Sequence, residues 1–249
     1  MNRTYLITGA GSGIGRAIAL QLASEKNNCI LAGRNMVNLQ KTLINLDEGN
    51  HDILPLDINS EKSLENALSK IKKPLDGLIA NAGTGGENHW GENDRWEEII
   101  QTNLGGTYRF VNTFLPLLRQ SKSEYKHILI TSSVLARLGV ADYSAYCASK
   151  AGLLGLMRSW AVQFAPEKIL VNAICPGWVN TQMSQEGMEG IAGGLNISCQ
   201  EFYHLAMQSV PLRKMSEPEE IGELVSFLLR QHSMTGQAID MNNGSVMNS

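Results

Sequence analysis

The chain is poor in the features that would mark a specialised protein. Only four of its 249 residues are cysteine (Cys29, Cys147, Cys175, Cys199), with no CxxC pair and no zinc-type spacing. A disulfide scaffold is excluded, and the four read as reduced packing residues. The five histidines are dispersed and no HExxH occurs, so no metal site is expected. Aromatic residues make up 6% of the chain, and no apolar run reaches the length of a membrane span. Nor does the start read as a secretory signal: Met1-Asn2-Arg3 leads directly into a strand-like run, and a cytoplasmic protein is the expectation. A net charge of -3 with scattered Lys and Arg argues against a nucleic-acid binder. What remains, 43% hydrophobic and 18% charged, is the composition of an ordinary globular domain. Its length suits one large core, so a single domain over residues 1–249 is expected.

Short β-rich runs alternate with segments of helical periodicity. Strands are expected at Thr4–Ile7, Cys29–Ala32, Ile53–Leu56, Leu75–Ala80, His127–Thr131, Leu170–Ile174 and Ala238–Met241. Helices are expected over Ile14–Ser24, Glu61–Ile71, Arg95–Arg119, Ser144–Phe164 and from Pro218 onward, where proline and two acids suit a first turn. This alternation predicts an α/β fold: a doubly wound (Rossmann) parallel sheet of about seven strands with helices on both faces. Only 182–212, rich in Gly, Met and Ser, breaks the rhythm. A loop of that length is expected to serve as a substrate lid.

Two motifs carry chemistry. The first strand runs into Gly9-Ala10-Gly11-Ser12-Gly13-Ile14-Gly15 and then a helix. Glycines permit a tight turn and close approach of a pyrophosphate, while the helix start offers free N–H groups to that anion. The second is Tyr146-Cys147-Ala148-Ser149-Lys150, which puts a phenol and an ammonium one helical turn apart. A nearby ammonium is expected to favour the phenolate and so bring the Tyr146 pKa down towards neutrality. Tyr143 lacks such a partner, since Cys147 stands four residues on.

The GxxxGxG spacing, the YxxxK pair and the order of further motifs resemble the short-chain dehydrogenase/reductase family, with a flavour of 3-oxoacyl reductases and other ketoreductases. The resemblance spans essentially the whole chain, and six motifs fall in order between residues 4 and 181. It implies a nicotinamide-dependent oxidoreductase interconverting a ketone and a secondary alcohol, with Tyr146 as general acid/base. Ser133, thirteen residues before Tyr146, is implied as the hydroxyl facing the substrate oxygen, in preference to Ser132. Asn103 is implied as the fourth catalytic residue, helping to hold a water chain that reaches Lys150. The resemblance also places the cofactor on Gly9, Gly11, Ser12, Gly13, Ile14 and Gly15. Asp57 and Ile58 would meet its adenine, and Asn81, Ala82 and Gly83 would line it beside Tyr146 and Lys150. Pro176, Gly177, Val179 and Thr181 would hold the nicotinamide carboxamide. Ala80 and Asn242-Asn243-Gly244 depart from the family's NNAG and DGG patterns without touching these residues.

Cofactor preference turns on the second strand, which ends in Arg34 with no acid; an arginine there suits a 2′-phosphate, so NADP(H) is expected over NAD(H). Glu124 and Glu167 stand where relatives that use an acidic carrier protein place arginines, which favours a free or coenzyme-linked substrate. Leu135, Arg137, Leu138, His89, Trp90, Trp178, Met183 and part of Met188–Leu195 are expected to line the substrate pocket. Arg137 reads sooner as a solvated residue than as an anion ligand, and Trp96 reads as core. A homotetramer or homodimer is implied, joined through the helices carrying Asn103 and Tyr146. The competing reading is a catalytically silent NADP(H)-binding regulator or scaffold of the same fold.

Overall fold

Strands that are apolar on both faces need cover on both faces. The computed structural model describes residues 2–247. Strands β1 (Thr4–Thr8), β2 (Asn28–Gly33), β3 (Asp52–Pro55), β4 (Gly77–Ala80), β5 (Lys126–Thr131), β6 (Ile169–Pro176) and β7 (Ala238–Met241) form one sheet. Its order is β3-β2-β1-β4-β5-β6-β7, and every neighbouring pair is parallel. The expected doubly wound fold of seven strands is the observed one.

Alternate residues of each strand face opposite layers. Leu6, Leu78, Ile128 and Ile130 pack under Phe110, Phe114, Leu153 and Trp160. Tyr5, Ile7, Ile79 and Leu129 pack under Ile18, Leu22, Ile221 and Val225. The second layer is built by α1 (Gly13–Ser24) and α9 (Pro218–Leu229), the first by α3 (Glu61–Lys70), α5 (Thr107–Arg119) and α6 (Ser144–Phe164). A short helix absent from the sequence reading, α2 (Met36–Leu43), follows β2 and is capped by Asn35, whose side chain accepts from Asn38 N at 3.0 Å.

The helix expected over Arg95–Arg119 is three pieces: α4 (Trp96–Ile100), a π-helical segment Gln101–Gly106, and α5. The π segment holds Gly105 and Gly106, and a Cβ on Gly106 would meet the Ile58 side chain at 2.7 Å. Trp96 is 38% exposed on α4, not core as expected. The segment 182–212 is not a loop but two helices, α7 (Gln182–Leu195) and α8 (Cys199–Gln208). Four glycines in α7 blurred its period, although Thr181 caps it and Ser198 with Glu201 forms a capping box on α8. The chain entering and leaving this helical pair is stitched together, Asn180 N donating to Ser216 O and Ser216 N to Trp178 O, both at 2.9 Å. All four cysteines are free thiols, and no helix among the described residues is long and apolar enough to cross a membrane.

His127, at the start of β5, is buried with its Nε2 unpartnered among the described residues. Burial, reinforced by the charges of Arg3 and His232, pushes its pKa from 6.5 down to about 3. The folded-state value lies below the unfolded one, so stability is complete above the unfolded pKa and falls as pH drops through that window, by up to about 1.4 kcal/mol per unit. Urea unfolding at pH 7.5 and pH 5 should show His127→Leu losing less stability on acidification than the wild type. Equal losses would contradict this account.

Candidate active site

The C-terminal edge of a parallel sheet is open where successive strands send their chains to opposite faces. Here that point lies between β1 and β4. The cleft floor is a knot of hydrogen bonds centred on Thr8, whose hydroxyl donates to Ile79 O at 3.2 Å and accepts from Asn81 N and Ala82 N at 3.0 Å each. Asn81 Nδ2 donates to Thr8 O at 3.1 Å, and Thr131 Oγ1 donates to Asn81 Oδ1 at 3.2 Å. The ends of β1, β4 and β5 are thus locked before any ligand enters.

Above this floor the glycine turn wraps into α1. Gly13 sits at φ +48°, a left-handed conformation that other residues rarely adopt. A Cβ on Gly15 would lie 2.6 Å from Asn81 Nδ2, so Gly15 lets the turn pack onto the knot. Ser12 heads α1 with no side-chain cap bond, leaving the first N–H groups of the helix facing the cleft. This cradle fits an anionic diphosphate. Gly9, Gly11, Ser12, Gly13 and Ile14 line the cleft, as do Arg34, Asp57, Ile58, Asn81, Ala82, Gly83, Pro176, Gly177, Val179 and Thr181. Gly15 lies behind the lining, its role one of packing. Asn35, Asn38, Asn59, Thr102 and Gln182 also line the cleft but were not anticipated. They come from a helix cap (Asn35), a turn (Asn59) and three helical segments (Asn38, Thr102, Gln182), and their meeting in space has no local sequence mark.

Tyr146, Lys150 and Ser133 converge at the other end of the cleft. Ser132 Oγ donates to Lys150 O at 2.8 Å and is spent on the helix. The Ser133 hydroxyl accepts from Leu135 N at 3.1 Å and also engages the Tyr146 phenol. Lys150 Nζ is buried, donates to Thr131 O at 3.0 Å and lies 5.5 Å from the Tyr146 ring centroid. Burial lowers the Lys150 pKa to about 8. Burial also pushes the Tyr146 phenol up to about 12, with Ser133 acting the other way. The expected lowering of Tyr146 by Lys150 is therefore corrected: the ammonium points at a strand carbonyl, and desolvation of the phenolate dominates. At neutral pH the pair is a phenol above an ammonium.

Asn103, 1% exposed, does not reach the cleft. Its Nδ2 donates to Thr84 O at 2.9 Å and Ser149 Oγ at 3.1 Å, while its Oδ1 accepts from Thr84 N at 2.8 Å. The amide braces the post-β4 chain against α6.

The expected substrate pocket is largely redrawn. Of its residues only Met183 lines the cleft. Met188 is buried with Met207, Val210 and Met215 in a small core beneath α7 and α8, against which Trp178 packs. Arg137 is half-buried and paired rather than free in solvent: its Nε donates to Asp240 at 2.7 Å and its Nη2 to Ala238 O at 3.2 Å. Glu124 and Glu167 precede β5 and β6, at the sheet edge opposite the cleft, and pair with Lys168 at 2.9 Å and Arg119 at 2.7 Å. Within the chain they therefore cannot repel a partner docked at the cleft mouth.

Residues 3–191 match the family profile described as short chain dehydrogenase. The chain belongs to the short-chain dehydrogenase/reductase family. It is 31% identical to the 3-oxoacyl-[acyl-carrier-protein] reductase FabG of Rickettsia felis, with 98% of this chain and 97% of that one aligned. It is 29% identical to a putative ketoacyl reductase of Streptomyces coelicolor, over 96% of this chain and 95% of that one. Among solved structures, a variant of actinorhodin polyketide ketoreductase with NADPH superposes with a TM-score of 0.92 at 29% identity, covering 98% and 97% of the two chains. Such a short-chain dehydrogenase/reductase is an oxidoreductase acting on C=O and CH–OH groups.

The Thr8 knot makes a specific prediction. Thr8→Val keeps shape but leaves the Ala82 N–H unanswered, at about 1–3 kcal/mol for a buried group, while Asn81 N keeps Ile79 O at 3.1 Å as its acceptor. Chemical denaturation should show a loss of roughly 1–3 kcal/mol, together with weaker nicotinamide-cofactor binding by fluorescence titration. Unchanged stability would contradict the role given to Thr8.

Proposed function

We propose that this oxidoreductase is NADP(H)-dependent and reduces a ketone to a secondary alcohol, with Tyr146 as the proton donor. The observation that carries the reading is the juxtaposition of the Tyr146 phenol with Ser133 and the buried Lys150 ammonium at one end of the glycine cradle. When bound, the nicotinamide cofactor supplies the hydride or takes it back. Tyr146 holds its proton through neutral pH and gives it to the carbonyl oxygen as that oxygen gains charge. Ser133 donates to the same oxygen. Lys150 leaves a positive charge beneath the phenolate so formed, and Asn103 braces the segment between Lys150 and the cofactor-facing turn. Pro176, Gly177, Val179 and Thr181 orient the nicotinamide. Asp57 and Ile58 flank the adenine, and Arg34 meets a 2′-phosphate.

Relatives named as 3-oxoacyl and ketoacyl reductases favour a 3-oxoacyl or polyketide-like ketone. With Glu124 and Glu167 paired at the far edge, a carrier-linked chain is as admissible as a free one. The helices of 182–212 form a lid over the substrate end, and the protein acts in the cytoplasm. Exposed Tyr108 and Val162, on α5 and α6, support assembly of copies into a homodimer or homotetramer.

Purified protein given NADPH and a panel of 3-oxoacyl thioesters and cyclic ketones should consume NADPH. Tyr146→Phe should lose about 10²–10⁴-fold in rate while still binding NADPH. Full activity in that variant would overturn the role of Tyr146, and tight binding without any turnover would favour a silent cofactor-binding scaffold. Arg34→Asp should weaken NADPH relative to NADH by roughly ten- to hundredfold; unchanged NADPH affinity would overturn the preference.

A further inference from the structure

The chain between β4 and α4 (84–95) has no regular structure and includes two glycines in positive-φ conformations, Gly86 at +107° and Gly91 at +128°. In its middle one polar residue is buried. Asn88 is 3% exposed, while Trp90, two residues on, is 93% exposed. Every arm of the Asn88 side chain is used. Its Oδ1 accepts from Ala145 N at 2.9 Å and from Ser144 Oγ at 3.1 Å. Its Nδ2 donates to Asp94 Oδ1 at 3.2 Å, and its backbone N donates to Asp142 O at 2.7 Å. A backbone N–H can only donate and a carboxylate at neutral pH can only accept, so the orientation of the amide is unambiguous.

These bonds fall at two helix starts. The residue heading α6, Tyr143, provides no side-chain cap of its own. Asn88 supplies that cap from elsewhere in the chain, answering one of the orphan N–H groups of the first turn. Asp94 in turn accepts from Trp96 N at 3.0 Å, at the start of α4. One amide therefore ties the start of the helix that carries Tyr146 and Lys150 to the start of the helical run that carries Asn103. It does so from the chain segment that begins at the cleft-lining Gly83 and Thr84. Tyr146 is the residue immediately after Ala145.

We propose that Asn88 is a positioning residue for Tyr146, capping α6 from the post-β4 segment so that the phenol is held in register with Ser133 and the cofactor cleft. The proposal rests on the reading of Tyr146 as proton donor, but its geometry can be measured without a substrate. In Asn88→Ala, hydrogen exchange at the Ala145–Cys147 amides should rise by at least about tenfold, with the rest of α6 little changed. The kcat for ketone reduction should fall by roughly tenfold, while the KM for NADPH stays within about twofold of wild type.

Asn88→Asp alone sets two carboxylates against each other and should behave like the alanine variant. The double variant Asn88→Asp/Asp94→Asn exchanges amide and carboxylate and can re-form the bonds that cap α6 and join residues 88 and 94. The relocated carboxylate would then accept from Ala145 N, Ser144 Oγ and the relocated amide, with loss of the Trp96 N bond, because one oxygen, Asp94 Oδ1, serves both Asn88 and Trp96 in the wild type. It should restore both exchange protection and kcat to within about threefold of wild type. Wild-type protection of Ala145–Cys147 in Asn88→Ala would overturn the proposal. So would a folded double variant that fails to recover, or increased exchange with unchanged kcat. If the wild type reduced no ketone at all, that result would count against the proposed function alone, and the exchange data would still judge the clamp.

Discussion

A lysine ammonium buried beneath a phenol is the constraint around which the rest of this site is arranged. Lys150 has Thr131 O at 3.0 Å as a partner, and burial already draws its pKa down to about 8. A buried charge is tolerated only where its surroundings hold partners in place. Ser132 grips the backbone of Lys150, Ser149 next to it is bonded to Asn103, and Gly83 leaves room for Asn103 Oδ1, which a Cβ there would approach to 3.0 Å. The π turn in the helical run that carries Asn103 belongs to the same arrangement, since it places that buried amide between the post-β4 chain and α6.

The cofactor end depends on a second, simpler fact: a parallel sheet opens where its chains diverge. The Thr8–Asn81 knot closes the floor at that opening, and the glycine turn rests on it. Chemistry and binding therefore share one scaffold, with Thr131 contributing its hydroxyl to the knot and its carbonyl to Lys150. This shared residue connects the cradle rigidly to the proton-handling groups.

Much of this was legible in the sequence, because strands buried on both faces read as unbroken apolar runs and the glycine turn and YxxxK pair are local. Part of what escaped has its cause in long-range pairing. The partners of Thr8 lie 73 and 74 residues away, and Arg137 meets Asp240 across 103 residues. The π segment leaves no periodic trace in six residues, and glycines masked α7. The direction of the Tyr146 shift is not legible in the YxxxK spacing, which reveals a neighbouring charge but not the burial that outweighs it.

The most direct test of the account is the pH dependence of kcat/KM for NADPH-driven ketone reduction between about pH 6 and 10. With Tyr146 protonated throughout most of this range, the titrating group is Lys150, charged below about 8 and neutral above it. The rate should be level at low pH and fall by about tenfold per unit once pH rises past that value. A profile that stays level to pH 10 would contradict the dependence of the site on the buried ammonium.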